Sequence, residues 1–158
     1  MITTKWFLSD KDLEDAYYVR TKVFVEEQGF DSELDKDEVD KTALHLVVYD
    51  QNRPIGTGRL YYENGYRIGR VAVLKEFRKN HIGDLIMRML LLKAFEEEKA
   101  EKVIIHAQEG AVGFYEKFGF EKVGQPFFEE HVRHYEMIIT PQTLNITPKC
   151  AQMANKNI

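Results

Sequence analysis

The segment "FRKNHIG", residues 77–83, sets Arg78 and Lys79 between a β-branched run and a long apolar helix pattern, with Gly83 just inside that pattern. Two cations at a strand-to-helix junction suit phosphate chemistry. The first turn of a helix presents unpaired backbone N–H groups at the positive end of its dipole, and a glycine lets a ligand approach the backbone. A plainer account is the default on local chemistry: Asn80 caps the helix, Gly83 relieves packing, and both cations face water. On local chemistry alone both stay open.

Four other places carry candidate chemistry. Arg20 falls on an apolar stripe with Leu13, Ala16, Tyr17 and Phe24. Its stem packs there while the guanidinium either escapes to water or orders the acidic segment through Asp35, Asp37 or Asp40. That segment, "DSELDKDEVD", reads by composition as a solvated loop or short mobile helix. Beside a cleft it would bias binding toward a cationic amine. Glu26 and Glu27 close the first helix and could take a proton. His131 and His134 are three apart on a strand and so point to opposite faces, which rules against a shared metal.

The elements that must position these groups follow from pattern. Residues 5–8 read as a first strand. Ser9 and Asp12 form a capping-box spacing ahead of a helix over about residues 10–27. "TALHLVVYD", "PIGTGRLYYE" and "YRIGRVAVL" are β-rich runs joined by the turns "QNR" and "ENG", an antiparallel meander. A helix over about 81–99, a strand "VIIHA", a short helix "GAVGFYEKFG" closed by Gly119, and two strands, "FEKVGQ" and "VRHYEMII", complete the order. Strand, helix, strand demands one parallel crossover, so the expected fold is α+β: about seven mostly antiparallel strands flanked by about four helices. Residues 140–158 show no clear period and read as a loose polar tail, leaving 1–139 as one domain.

Composition narrows the classes. At 158 residues and 44% hydrophobic, the chain can bury a core without disulfides or metals. A formal net charge of −4 offers no footprint for nucleic acid. Cys150 is the one cysteine, and the "MITTKWFLSDKD" start lacks a basic, apolar leader. No apolar run reaches the roughly 20 residues needed to span a bilayer. A cytoplasmic protein with neither nucleic-acid nor membrane partner is expected.

The order of motifs resembles the GCN5-related N-acetyltransferase (GNAT) superfamily over about residues 5–139. The loop after the family's fourth strand follows (Q/R)-x-x-G-x-(G/A); Arg78 and Gly83 match its ends and His81 stands at its middle glycine. "RVAV" matches the preceding strand, and "AVGFYEKFGF" matches the family segment A-x-x-F-Y-x-x-x-G-F. "VRTKVFVEEQGF", "ELDKDEVD", "HLVVYD" and "HVRHYEM" are similar to its ElaA-like and YjcF-like bacterial branch.

That resemblance implies an acetyl-CoA-dependent N-acetyltransferase. Val71, Ala72 and Val73 would pair with the pantetheine arm, with a backbone N–H, at Val73 foremost, on the thioester oxygen. Arg78, Lys79, Asn80, His81, Ile82, Gly83 and Asp84 would take the pyrophosphate. Tyr115 would protonate the departing thiolate, with Phe114 beside it. Arg20, Phe24, Gln28 and Gln108 would face the acceptor, a small primary amine or peptide. Glu26, Glu27 and His134 are the candidate bases. No metal is implied, and a homodimer is admitted. Two other readings stand: a transferase of longer acyl groups, akin to acyl-homoserine-lactone synthases, and an idle acyl-CoA-binding module.

Overall fold

The computed structural model describes residues 1–8 and 11–146. Seven strands form one sheet in the order β1-β2-β3-β4-β5-β7-β6. They are β1 Ile2–Phe7, β2 Leu44–Asp50, β3 Arg53–Tyr62, β4 Tyr66–Val73, β5 Val103–Gln108, β6 Glu121–Glu129 and β7 Val132–Ile139. Four α-helices accompany them: α1 Glu14–Arg20, α2 Ser32–Asp35, α3 Ile82–Leu92 and α4 Val112–Glu116. Every neighbouring strand pair is antiparallel except β4 and β5.

Turn chemistry builds the meander as expected. Gln51 and Asn52 both take left-handed φ, 48° and 71°, and link β2 to β3; Asn64 and Gly65 do the same between β3 and β4 at 51° and 114°. The β4–α3–β5 crossover then gives the one parallel pairing. Ile82, Ile86, Met87, Leu90 and Leu91 are the buried stripe of α3, and they join Leu46, Val48, Ile55 and Met137 of the sheet in the main core. Ala16, Val19 and Val23 are the buried apolar positions of α1 and of the π-helical stretch Thr21–Glu27 that continues it, and Arg20 is buried with them.

Several expectations shift. The first strand begins at Ile2 rather than Lys5. The first helix starts at Glu14, with Leu13 at its N-cap and no side-chain cap bond; Asp12 sits at φ 62°, outside the helix, and Ser9 lies outside the described residues. The helix expected over 81–99 is α3 followed by π-helical Lys93–Glu97. β6 runs on to Glu129, past Pro126, instead of stopping near Gln125.

The expected loose tail is also corrected at its start. The Asn145 N–H donates to the Phe118 carbonyl at 2.7 Å, and Ile146 is buried in the main core with Leu144 packed against it. Two apolar side chains and a satisfied backbone bond dock this segment. Gly119 is required there: its φ is 108°, and a Cβ would lie 1.8 Å from the Thr143 carbonyl oxygen. Cys150 and the rest of the tail lie outside the described residues.

The acidic segment is the largest correction. It forms α2 and a 3₁₀ turn, Glu38–Lys41, and Asp35 and Asp40 are 5% and 1% exposed. Strand alternation points Arg59 at this segment, where its Nη1 lies 2.7 Å from both Asp37 and Asp40. Arg20 donates from Nη1 to Asp40 at 2.8 Å and from Nε to Asp35 at 3.2 Å, and from Nη2 to the Asp35 carbonyl. Arg70 adds contacts to the Asp35 carbonyl and Asp37 at 3.2 and 3.3 Å. Composition suggested a solvated loop; three arginines from three elements turn it inward instead.

Candidate active site

The site begins with a parting of strands. β4 and β5 pair only at Tyr66 with Val103 and Arg67 with Ile104. Just beyond, β4 carries one residue more than β3 between the Arg59–Gly69 and Thr57–Ala72 pairs, and Arg70 sits at φ 49° in that bulge. A bulge bends a strand and increases its local twist, which turns β4 away from β5.

The open edge has defined chemistry. The Leu74 N–H donates to the Ile55 carbonyl at 2.8 Å, so the ladder to β3 engages Leu74 and, by alternation, Ala72. Val71 and Val73 therefore aim their backbone groups the other way, into the gap. The Val73 carbonyl is taken by Nε of Arg78 at 3.0 Å, which leaves its N–H as the group presented there.

Next comes the loop into α3. Lys79 and His81 have φ of 67° and 63°, so His81 adopts the left-handed conformation that glycine would take without strain. His81 is the N-cap and makes no side-chain cap bond to α3. Asn80, expected as the alternative cap, instead donates back to the Phe77 and Arg78 carbonyls at 3.3 and 3.4 Å. The first-turn N–H groups of Ile82, Gly83 and Asp84 thus lack the usual side-chain acceptor. Asp84 is drawn back along the helix by Arg88 at 2.7 Å, which keeps its carboxylate engaged away from them.

Two expected loop residues have other partners. Arg78 forms a fork with Glu27, both contacts at 2.6 Å, and its backbone N–H goes to the Lys75 carbonyl at 3.3 Å. Gly83 sits in a tight place: a Cβ there would lie 3.3 Å from Phe114 Cζ, so the start of α3 and the helix α4 approach closely at this point.

A cavity of about 920 Å³ runs along the gap, lined by Val71, Ala72, Val73, Arg78, Lys79, His81, Ile82, Gly83 and Asp84 on one side. Phe114 and Tyr115 of α4 line it as well, with Phe24, Gln28, Gln108, Glu129 and His134 farther along. The volume falls within the range of cofactor sites. Tyr115 is half-buried, and burial pushes its phenol up to about 12. Its ring meets Phe114 and Phe120 edge-on at 5.1 and 5.8 Å, fixing its direction. Gln108 Nε2 donates to Gln28 Oε1 at 2.8 Å, tying the end of β5 to the end of the first helix.

The expected bases separate here. Neither Glu26 nor Glu27 is among the cavity-lining residues, and Glu26 pairs with Lys22 at 3.3 Å on the helix surface. The Arg78 hydrogen bond holds the Glu27 carboxyl below its ordinary value, which weakens it as a base. His134 lines the cavity, is 4% exposed, and donates from Nδ1 to the Val132 carbonyl at 2.8 Å, so its Nε2 carries the lone pair in the neutral form. Arg20 is consumed by Asp35 and Asp40, a positioning role rather than the expected acceptor contact. His131 diverges from His134 and meets the Gln28 carbonyl at 2.8 Å.

Two residues escaped the sequence reading, His106 and Glu129. A two-residue hairpin at Glu130 and His131 pairs Glu129 with Val132 and Phe127 with His134, so Glu129 shares a face with the cavity group. Ending β6 before Pro126 hid that register.

The residue pattern matches the acetyltransferase (GNAT) domain family over residues 9–141. The chain belongs to this family. It is 37% identical to the N-acetyltransferase YjcF of Bacillus subtilis over 132 residues, 82% of this chain and 94% of that one. Its fold matches the crystal structure of Escherichia coli ElaA with a TM-score of 0.78 at 25% identity, covering 87% and 99% of the two chains. A GNAT acetyltransferase of Elizabethkingia anophelis, solved with acetyl-CoA bound, shares the fold at a TM-score of 0.67 and 17% identity, covering 88% and 97%. The protein is thus an acyltransferase of the GNAT fold, in a family that uses acyl-CoA donors.

Proposed function

We propose that this acyltransferase moves an acetyl group from acetyl-CoA to a primary amine of a small molecule or peptide, by direct attack within a ternary complex. The observation that carries the reading is the parting of β4 from β5 after Arg67, beside an uncapped helix N-terminus and Tyr115. The pantetheine arm pairs with Val71 and Val73 in the gap, as a strand would. The N–H groups of residues 79–84 and the positive end of α3 take the pyrophosphate, while Lys79 adds charge. Arg78 acts through position, holding the Val73 carbonyl and Glu27.

The amine enters from the side of Phe24, Gln28 and Gln108. An alkylammonium with pKa near ~10.4 must lose a proton before attack, and His134 Nε2 is placed to receive it. The C–N bond forms, the Val73 N–H stabilises the oxyanion, and the C–S bond breaks. Tyr115 gives its proton to the thiolate and takes back the second proton that the nitrogen sheds as the amide forms, yielding amide and free CoA. A phenol at about 12 is a weak acid against a thiol near ~8.5, but the desolvation that raises it also destabilises a bare thiolate beside it.

The acceptor bias expected from the acidic segment loses its physical basis, since Asp35, Asp37 and Asp40 are matched by Arg20, Arg59 and Arg70. Asp31, Glu129 and Glu130 are carboxylates that line the cavity on that side.

The test is acetyl-CoA binding by thermal shift, followed by release of free CoA against a panel of amines. Ligand at 100 times its Kd stabilises by about 2.7 kcal/mol. For a chain of this size that raises Tm by roughly 5–10 °C. A rise in Tm without CoA release on any amine would favour an idle binding module, and no rise would remove the reading.

A further inference from the structure

Two acceptor atoms face each other in the cavity wall. The Val132 carbonyl can only accept, so Nδ1 of His134, 2.8 Å away, carries the ring hydrogen, and the neutral ring is bare at Nε2. That Nε2 lies 3.5 Å from Oε2 of Glu129, and no other polar group of the described residues pairs with either atom. Two acceptors at this range repel. Protonating His134 does not close the contact as it stands: charge-assisted N–H···O bonds run about 2.7–2.9 Å, and the spacing here is 3.5 Å. A donor group placed between the two atoms would satisfy both.

Their surroundings fix the pair and set its charge. His106 holds Oε1 of Glu129 at 3.0 Å, and Phe127 stacks on His134 at 5.9 Å while meeting His106 edge-on at 4.9 Å. His134 is 4% exposed, and both it and Glu129 line the cavity. The His106 hydrogen bond keeps Glu129 ionised against its own burial, with the charges of His134 and Arg70 acting the same way from β7 and β4. Glu136 and Arg67, which act on His106 in opposite directions, are the other charges at this level. The charged group in contact with His134 is thus a carboxylate, which favours a cationic donor over a neutral one. A nitrogen about 2.9 Å from both acceptor atoms would see them roughly 75° apart, against about 109° between two of its N–H bonds, so each hydrogen bond bends by less than about 20°.

We propose that Oε2 of Glu129 and Nε2 of His134 together seat the acceptor as a primary alkylammonium, bound in its charged form. The fate of the amine rests on the acetyl-transfer reading above; the binding of the cation does not. Glu129 accepts one N–H and His134 a second. The proton of that second bond moves to Nε2, and its electron pair stays on nitrogen as the nucleophile. The imidazolium so formed faces the Glu129 carboxylate and gives its proton to water once the product has left. Strand pairing places the seat where the chemistry needs it: His134 pairs with Gln108, which lies four residues on from the Arg67–Ile104 pair, level with Val71. The ligand class follows from the two acceptors. A quaternary ammonium has no N–H to give, and an aryl amine is neutral at ordinary pH and brings no charge to Glu129.

The test titrates n-butylammonium into isotope-labelled native protein without acetyl-CoA, at a pH above the His134 midpoint, and follows the ring nitrogens by NMR. The His134 Nε2 signal should move saturably as its lone pair accepts a hydrogen bond, and n-butyltrimethylammonium, with the same chain and charge, should leave it in place. Glu129→Gln should weaken binding about tenfold or more, as loss of a hydrogen bond to a charged group does. Glu129→Asp keeps the charge but draws it back by one bond; it should weaken binding severalfold, and it decides the matter if the first variant fails to fold. An equal response to the two cations overturns the proposal, as does native affinity in either variant. A ring indifferent to n-butylammonium would leave an ordered water between the two atoms and overturn it too. With any amine that releases CoA, Glu129→Gln should raise the KM for the amine about tenfold or more and leave the KM for acetyl-CoA unchanged. In the native protein the amine KM should stay flat from the His134 midpoint up to about pH 9.5, because the ammonium form, with a pKa near ~10.4, is the one bound. A native KM that falls tenfold per pH unit would mean that the free base binds, which overturns the proposal. Failure of the acetyl-transfer reading shows separately, as a Tm indifferent to acetyl-CoA while n-butylammonium still moves His134.

Discussion

Removing the charge at Asp40 tests whether the acidic segment is an anchor. Asp40 is 1% exposed and accepts from Arg20 at 2.8 and 3.0 Å and from Arg59 at 2.7 Å. Burial alone would raise its carboxyl; the hydrogen bonds and charges of the two arginines overcome that and bring it from an ordinary 3.8 down to about 2. A depression of that size corresponds to about 2–3 kcal/mol of stability at neutral pH. Because the folded value is the lower one, the contribution is fully present above ~3.8, falls to about half near pH ~3, and is lost as pH drops through about 2. Asp40→Asn keeps the shape and removes the charge. Urea unfolding followed by circular dichroism should show the variant about 2–3 kcal/mol less stable at pH ~7. The gap to the native chain should narrow as pH falls below 4. A gap that stays constant down to pH ~3, or one under about 0.5 kcal/mol at neutral pH, would refute the anchoring role.

Arg20→Ala leaves Asp35 and Asp40 buried without their shared partner and should cost about 3–5 kcal/mol, with proteolysis appearing in residues 31–41. Tyr115→Phe should lower kcat by about 100-fold or more while the KM for acetyl-CoA stays put, read by CoA release; and because burial holds the native phenol protonated up to about 12, that tyrosine should contribute no alkaline limb at pH ~10. His81→Gly should be about 1 kcal/mol more stable than His81→Ala, since only glycine relieves the left-handed backbone; equal stabilities by denaturant melt would show that the loop is unstrained.

Local signals carried most of the fold. Residue pairs such as Gln51–Asn52 and Asn64–Gly65 announce their turns through backbone freedom, and the change from alternating to helical spacing after Val73 announces the crossover. That the loop into α3 and the helix carrying Tyr115 come next was legible because the motifs around them are short and contiguous. His106 and Glu129 were not, since they meet only when β6 pairs with β7 and β7 with β5, a register that local patterning does not encode. The docking of residues 140–146 escaped for a similar reason: Ile146 and Leu144 are isolated apolar residues whose partners come from the core of the sheet and α3.

The acidic segment shows why composition misleads in a specific way. A run of aspartates with one lysine looks solvated because its counter-ions are absent from the run itself. Here they arrive from α1, β3 and the β4 bulge as Arg20, Arg59 and Arg70. The bulge that turns β4 away from β5 is the same one that carries Arg70 to the Asp35 carbonyl. Opening the gap between β4 and β5 and fastening the wall beside it therefore depend on one backbone distortion. The segment is thereby fastened as a wall of the cavity, with Leu34 and Asp35 lining it. On the proposed reading, selection of the acceptor falls to groups that project from this frame into the cavity, among them Gln28, Gln108 and Glu129.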